Sequence, residues 1–115
     1  MSEKQPLYGE IWLADLDPVR GHEQAGKRPV LVISVDLFNS GPADLVIVLP
    51  TTTVYKGIIS HVEVNPPEGG LDRKSFVKCE DIRSISKERF STMLGRVSQE
   101  SLTAVQDRVR IILNL

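Results

Sequence analysis

Gly21-His22-Glu23-Gln24-Ala25-Gly26-Lys27-Arg28-Pro29 stands between two strand-like runs, Ile11-Trp12-Leu13 and Val30-Leu31-Val32-Ile33. Both runs are rich in bulky and β-branched residues, the composition of paired strands. A plain hairpin turn needs only glycine, proline, asparagine or aspartate. This connection instead carries an imidazole, a carboxylate, an amide and two cations, and such residues sit preferentially on loops held by a rigid scaffold. Pro29 is expected to open the second strand, where a missing N–H does least harm. It also pushes Arg28 toward an extended backbone.

Outward from this loop the chain reads mainly as strands. Leu45-Val46-Ile47-Val48-Leu49 is a continuous apolar run closed by Pro50. Ser60-His61-Val62-Glu63-Val64 alternates with period two, as a half-buried strand does. Ser75 to Cys79 and Met93 to Val97 are further candidates, and Pro66-Pro67-Glu68-Gly69-Gly70 is a loop. The period then changes. Ser98 can cap a helix whose apolar positions Leu102, Val105, Val109, Ile112 and Leu113 share one face. Five or six short strands followed by one amphipathic helix make a mainly β, α+β domain: a small barrel with the helix packed on it. Strand count alone leaves other small barrels open. The ending Ile111-Ile112-Leu113-Asn114-Leu115 fits a helix buried on the barrel.

A chain of 115 residues is a single domain, 1–115, with 1–6 expected as a loose arm ending at Pro6. Aromatic residues are 5% of the chain, so the core is expected to be mostly valine, leucine and isoleucine. No apolar run reaches the roughly 20 residues that span a bilayer, and no signal-peptide pattern opens the sequence; a cytoplasmic protein without membrane contact is expected. Cys79 is the single cysteine, which excludes an internal disulfide and a cysteine zinc site. No His/Asp/Glu cluster has metal-ligand spacing, and neither metal nor cofactor is expected. The net charge of -1 excludes a protein that coats nucleic acid by charge alone. Half of the 14 cations nevertheless fall between Arg73 and Arg96, which permits one basic face; scattered surface charge is the plainer alternative.

The series Gly9-Glu10-Ile11-Trp12, Asp17-Pro18, Gly21-His22-Glu23-Gln24 and Lys27-Arg28-Pro29-Val30 resembles the opening of MazF/PemK-type toxins. Pro50-Thr51-Thr52-Thr53 resembles that family's proline–x–threonine segment. Gly70-Leu71, the run Lys74 to Ile85, Lys87-Glu88-Arg89-Phe90 and Leu94-Gly95-Arg96-Val97 follow in the family's order. The likeness extends from about Tyr8 to Leu115. It implies an SH3-like barrel, a homodimer, and a cognate MazE-like antitoxin with an acidic flexible tail. It also implies cleavage of single-stranded RNA without metal, by attack of the 2′-hydroxyl on its own phosphate.

That chemistry needs a base at the 2′-oxygen, a cation at the developing charge and a proton for the leaving oxygen. By resemblance Arg28, Thr52 and Glu23 are the catalytic candidates. Arg28 stays charged and can hold two phosphate oxygens, or can pair with Glu23 or Asp15, and the two roles are compatible. The Thr52 hydroxyl can donate to a phosphate oxygen or shape a turn. Glu23 can accept the 2′-proton or hold the loop through backbone N–H groups. His22, Gln24, Lys27, Thr53, Lys56, Lys78 and Glu80 are candidate substrate contacts. Many relatives carry serine where His22 stands, and some use arginine and aspartate where Lys78 and Glu80 stand. His61 reads as a surface or packing residue and Cys79 as core. Tyr55 and Phe38 are the few aromatics near these loops, so base recognition is expected to depend more on hydrogen bonds than on stacking. The rival reading is a non-catalytic toxin like CcdB, which shares the fold and binds gyrase through the end of its terminal helix.

Overall fold

In the computed structural model, which describes residues 4–16 and 26–115, the two runs flanking the loop pair with each other. β1 (Glu10–Asp15) and β2 (Lys27–Val32) are antiparallel, with Trp12 opposite Val30 and Leu13 opposite Pro29. Pro29 thus lies inside β2 rather than opening it. Its fixed φ is compatible with an extended chain, and Arg28 before it is extended as expected. A four-residue helix follows, α1 (Asp36–Asn39), then β3 (Leu45–Thr52), β4 (His61–Val64), β5 (Ser75–Lys78), β6 (Arg83–Ser86), β7 (Phe90–Arg96) and α2 (Gln99–Leu113).

The strands form one sheet in the order β4-β5-β3-β2-β1-β7, with β6 also paired to β3. That makes seven strands, where the sequence suggested five or six. β6 buries only Ile85, so it carries no run or alternation of apolar residues to mark it. β3 is the hub, and Pro50 does not end it. Along one edge β3 pairs with β6 through Leu45 to Val48 and with β5 through Thr51 and Thr52, leaving Pro50 at the changeover. On the other edge Pro50 lies opposite Val30. Ile33 N donates to Ile47 O in that same register. Hydrogen-bonded pairs alternate along an antiparallel ladder, which makes Val30–Pro50 a pair without backbone bonds. Pro50 therefore loses no ladder bond.

The sheet curls. Laid flat, four strand spacings of about 4.8 Å would put β6 about 19 Å from β7. The link between them is a three-residue 3-10 turn, Lys87–Arg89, whose four Cα steps reach only about 8 Å at about 2 Å each. Bending brings Trp12, Val30, Val32, Val46, Val48 and Phe90 into one inner cluster, with Trp12 and Phe90 edge to face at 5.8 Å. No pairing joins β4 to β7 or β6 to β7 among the described residues, so the mostly antiparallel sheet is bent but not closed by backbone hydrogen bonds.

α2 covers the opposite face. Leu102 and Val105 are buried there with Ile11, Leu31, Leu49 and Val77. Ser98 caps the helix by accepting from Ser101 N at 3.1 Å, and Glu68 accepts from Ser98 N at 2.8 Å. Burial opposes ionisation of Glu68, yet hydrogen bonds from Ser101 and Ser98 outweigh it and hold the carboxyl below its ordinary range. The helical face is not buried to its end, as the sequence suggested. Val109 is half-buried, but Ile112 is 42% and Leu113 49% exposed. The 66–70 loop meets β7 backbone to backbone. A Cβ at Gly70 would stand 1.9 Å from Leu94 O, and one at Gly95 2.6 Å from Gly69 C. Pro6, expected in a loose arm, is buried, and its carbonyl accepts from Asn39 Nδ2 at 3.0 Å. No described helix is long and apolar enough to cross a membrane.

Candidate active site

Arg28 and Thr52 come together through strand register. Val30↔Pro50 and Leu31↔Leu49 fix the β2–β3 alignment. Continued two residues, it sets Arg28 opposite Thr52, and the bond from Thr51 Oγ1 to Pro29 O at 3.0 Å ties the intervening pair. By the alternation used above, Arg28–Thr52 is a pair without backbone bonds, the kind whose side chains approach most closely. Both residues extend the row that includes Val30, Val32, Val46 and Val48, and so reach the rim of the inner cluster. Arg28 is half-buried there and is paired with Ala14 on its other side.

The three threonines divide their work. Thr51 is buried and holds β3 to β2. Thr52 accepts from Val54 N at 3.1 Å, a local turn bond that occupies a lone pair and leaves the hydroxyl proton for an outside acceptor. Thr53 is exposed just beyond the strand. Lys27 is exposed opposite Asp15, and Lys56 is exposed on the loop between β3 and β4. His22, Glu23 and Gln24 lie outside the described residues.

Lys78 and Glu80 form a separate group around the end of β5. Lys78 stands opposite His61 and contacts Asp81 at 3.7 Å. Glu80 accepts from Ser60 Oγ at 2.8 Å and meets His61 Nε2 at 3.0 Å. Partial burial opposes ionisation of Glu80, but bonds from its backbone, Ser60 and His61 prevail and lower its pKa. His61 is a packing residue, as the sequence suggested: its side chain is 4% exposed, with Nδ1 buried and unpartnered. Cys79 is fully buried; burial and the neighbouring Glu80 charge, against a smaller effect of Arg108, push its thiol up to about 12. A thiol so protonated is no nucleophile at neutral pH.

Two arginines missed in the sequence brace the stem of the loop. Arg83 donates to Leu16 O at 3.1 Å and Arg89 to Asp15 O at 3.3 Å. Their sequence signals are membership of the cation-rich segment and of the motifs that carry the resemblance. A shallow depression of about 660 Å³ beside the stem is lined by Lys4, Lys27 and Arg89, but also by Asp15 and Glu88, so its charge is mixed. Among the described residues no group of three His, Cys, Asp or Glu side chains could hold a metal ion.

Fold and site together define a small β protein with a bent antiparallel sheet and a C-terminal helix, in which the β2–β3 register places the Arg28 and Thr52 backbones at the rim of the inner cluster. Residues 8–113 match the PemK-like, MazF-like toxins of type II toxin–antitoxin systems, and the chain belongs to that family. It is 34% identical over 108 residues to Endoribonuclease EndoA of Bacillus subtilis (strain 168), covering 93% of both chains. Its fold is similar to that of MazF from Deinococcus radiodurans, with a TM-score of 0.84 at 26% identity, covering 98% of this chain and 100% of that one. A MazE–MazF structure from the same organism aligns with a TM-score of 0.82 at 26% identity, over 98% of this chain and 99% of the other.

Proposed function

We propose that this chain is a sequence-selective endoribonuclease toxin that cuts single-stranded RNA in the cytoplasm and is neutralised by a cognate antitoxin. The observation that carries the reading is the β2–β3 register, which continued by two residues sets Arg28 opposite Thr52, in a chain one-third identical to a protein named as an endoribonuclease. The antitoxin follows from the family and from the MazE–MazF relative.

In the proposed reaction the 2′-hydroxyl gives its proton to a base, for which Glu23 is the candidate, and its oxygen attacks the adjacent phosphorus. The P–O5′ bond breaks, leaving a 2′,3′-cyclic phosphate. The 5′-oxygen departs with a proton, for which Arg28 is the candidate donor. Charge builds on the non-bridging oxygens as the new bond forms. A guanidinium can hold two of them, and the Thr52 hydroxyl can donate to one. The sequence reading assigns no metal to this route. His22, Gln24, Lys27, Thr53 and Lys56 are proposed to border the strand, with Lys78 and Glu80 at and just beyond the end of β5. Because Glu80 is held by Ser60 and His61, its proposed contact is through whichever lone pairs those bonds leave.

One observation favours the rival, a toxin acting by protein binding. Ile111, Ile112, Leu113 and Leu115 are all at least 42% exposed, so the helix end is not hidden as the sequence suggested. Contiguous exposed apolar residues mark interaction surfaces. We assign them to the proposed homodimer. The decisive experiment uses an RNA spanning a mapped cleavage site with one 2′-deoxy substitution 5′ to the scissile phosphate. Cleavage at that bond should stop, binding should survive, and EDTA should leave the unmodified reaction unchanged. Cleavage of the substituted bond would remove the 2′-hydroxyl as nucleophile, and with it the roles given to Arg28, Thr52 and Glu23. Absence of any RNA cleavage would favour the protein-binding toxin.

A further inference from the structure

We propose that Tyr55 is a stacking platform for the nucleobase adjoining the scissile phosphate, and so helps hold the RNA strand at the site; the proposal rests on the ribonuclease reading above. Phe76 in β5 lies directly opposite Thr52 in β3. Directly opposed residues share a face of the sheet, with Cβ atoms about 4.5–5.5 Å apart. The Tyr55 ring leans on Phe76 at 5.7 Å between centroids and 56° between planes. Phe76 is thereby sealed at 6% exposure while Tyr55 remains 74% exposed. The phosphate that Thr52 is proposed to hold and the aromatic ring are thus one residue pair apart, close enough for a single nucleotide to reach both.

A lone exposed tyrosine is common and by itself signifies nothing. This one is held in place. Thr52 Oγ1 fixes Val54 N and so sets the direction in which the chain leaves β3. Phe76 supports the ring from beneath. Gly57, at φ +64°, folds the chain back against it, and a Cβ there would come within 3.1 Å of the Tyr55 hydroxyl. A ring already ordered before binding loses less freedom when a base settles on it. Lys56, adjoining the ring in sequence, is exposed and supplies a cation beside the platform. Sequence-selective RNA proteins splay single-stranded bases onto aromatic rings, and the Phe76-backed Tyr55 offers one such surface where the sequence suggested stacking would be sparse.

The test uses the full chain and an RNA spanning a mapped cleavage site, made uncleavable by a 2′-deoxy group and carrying 2-aminopurine beside the scissile phosphate. Wild type should quench the 2-aminopurine on binding. Tyr55→Ala should abolish the quench and weaken binding about tenfold or more, and Tyr55→Phe should retain both, since every base stacks on a bare ring. Replacing that base with an abasic site should bring wild type and Tyr55→Ala to the same affinity. Equal quench and affinity in Tyr55→Ala would overturn the platform while leaving the nuclease reading intact. So would a loss of affinity that is the same for intact and abasic RNA, or a loss confined to antitoxin binding. A wild-type protein that neither binds nor cuts RNA would overturn both readings.

Discussion

Arg28 is where a single atom group carries most of the proposed chemistry. Its backbone is fixed by β1 on one side and, through Thr51 and Pro29, by β3 on the other. Arg28→Ala is therefore expected to leave the fold intact and to lower the cleavage rate by about a hundredfold or more, the usual loss when one donor to a developing oxyanion is removed. Arg28→Lys should recover only a small part, because a point charge cannot grip two oxygens. Single-turnover cleavage with circular dichroism of each variant checks this, and a fully active alanine variant would take Arg28 out of the mechanism. At this scale the sequence named candidate residues and was silent about how the strands place them. The order of Arg28, Pro29 and Thr52 carried the resemblance, but only the structure shows that Thr51 holds the strands while Thr52 lies on the other face of β3. The partners of Glu80 and His61, and the arginine braces on Leu16 and Asp15, were illegible because they join residues distant along the chain.

Among the elements, α2 was the most legible, because a cap residue and a 3.6-residue apolar period are local signals. Ser98 does cap it. Ser98→Ala should cost about 1 kcal/mol, lowering the melting temperature by about 4 °C for a chain of this size. A calorimetric scan that shows no change would mean the Glu68 carboxylate on Ser98 N suffices alone. The burial of the helix's last turn was misread, since periodicity reports which residues share a face and not how much of that face is covered. β6 was missed for the complementary reason: it is defined by its pairing to β3 and buries one residue. β3 was cut short at Pro50 because the changeover between two neighbouring strands has no signature in a linear reading.

For the whole molecule, acid sensitivity follows from two carboxylates whose pKa values are lowered in the folded state. Glu68 and Glu80 are both held below the ordinary 4.5 by hydrogen bonds that exceed the effect of burial. A group depressed on folding stabilises the native state above its unfolded pKa, and that stabilisation is lost as pH falls through the folded pKa. Stability should therefore be flat near neutrality on their account and fall below about pH 4.5. Glu80→Gln should be less stable than wild type at pH 7, and the difference should shrink as acid protonates the native carboxyl. Urea midpoints at pH 7 and pH 3 measure this, and a constant gap would assign the effect to packing. The β-rich class with a terminal helix was readable from composition and period. Curling was expected with the small barrel, but not how far it goes: the sheet bends without closing by backbone hydrogen bonds among the described residues, and pairing between strands distant in sequence leaves no local signal.

β1, which stands beside Arg28, is held on its other edge by β7, with Ala14 opposite Phe90 and Trp12 opposite Met93. During synthesis β1 therefore lacks its second neighbour until β7 has left the ribosome, because a chain emerges from its N-terminus first. A nascent or prematurely terminated chain is therefore expected to be inactive until β7 has been made. A fragment stopped after Arg89 should accumulate without arresting growth and should lack a cooperative melting transition, whereas the full chain expressed at the same level should stop the culture.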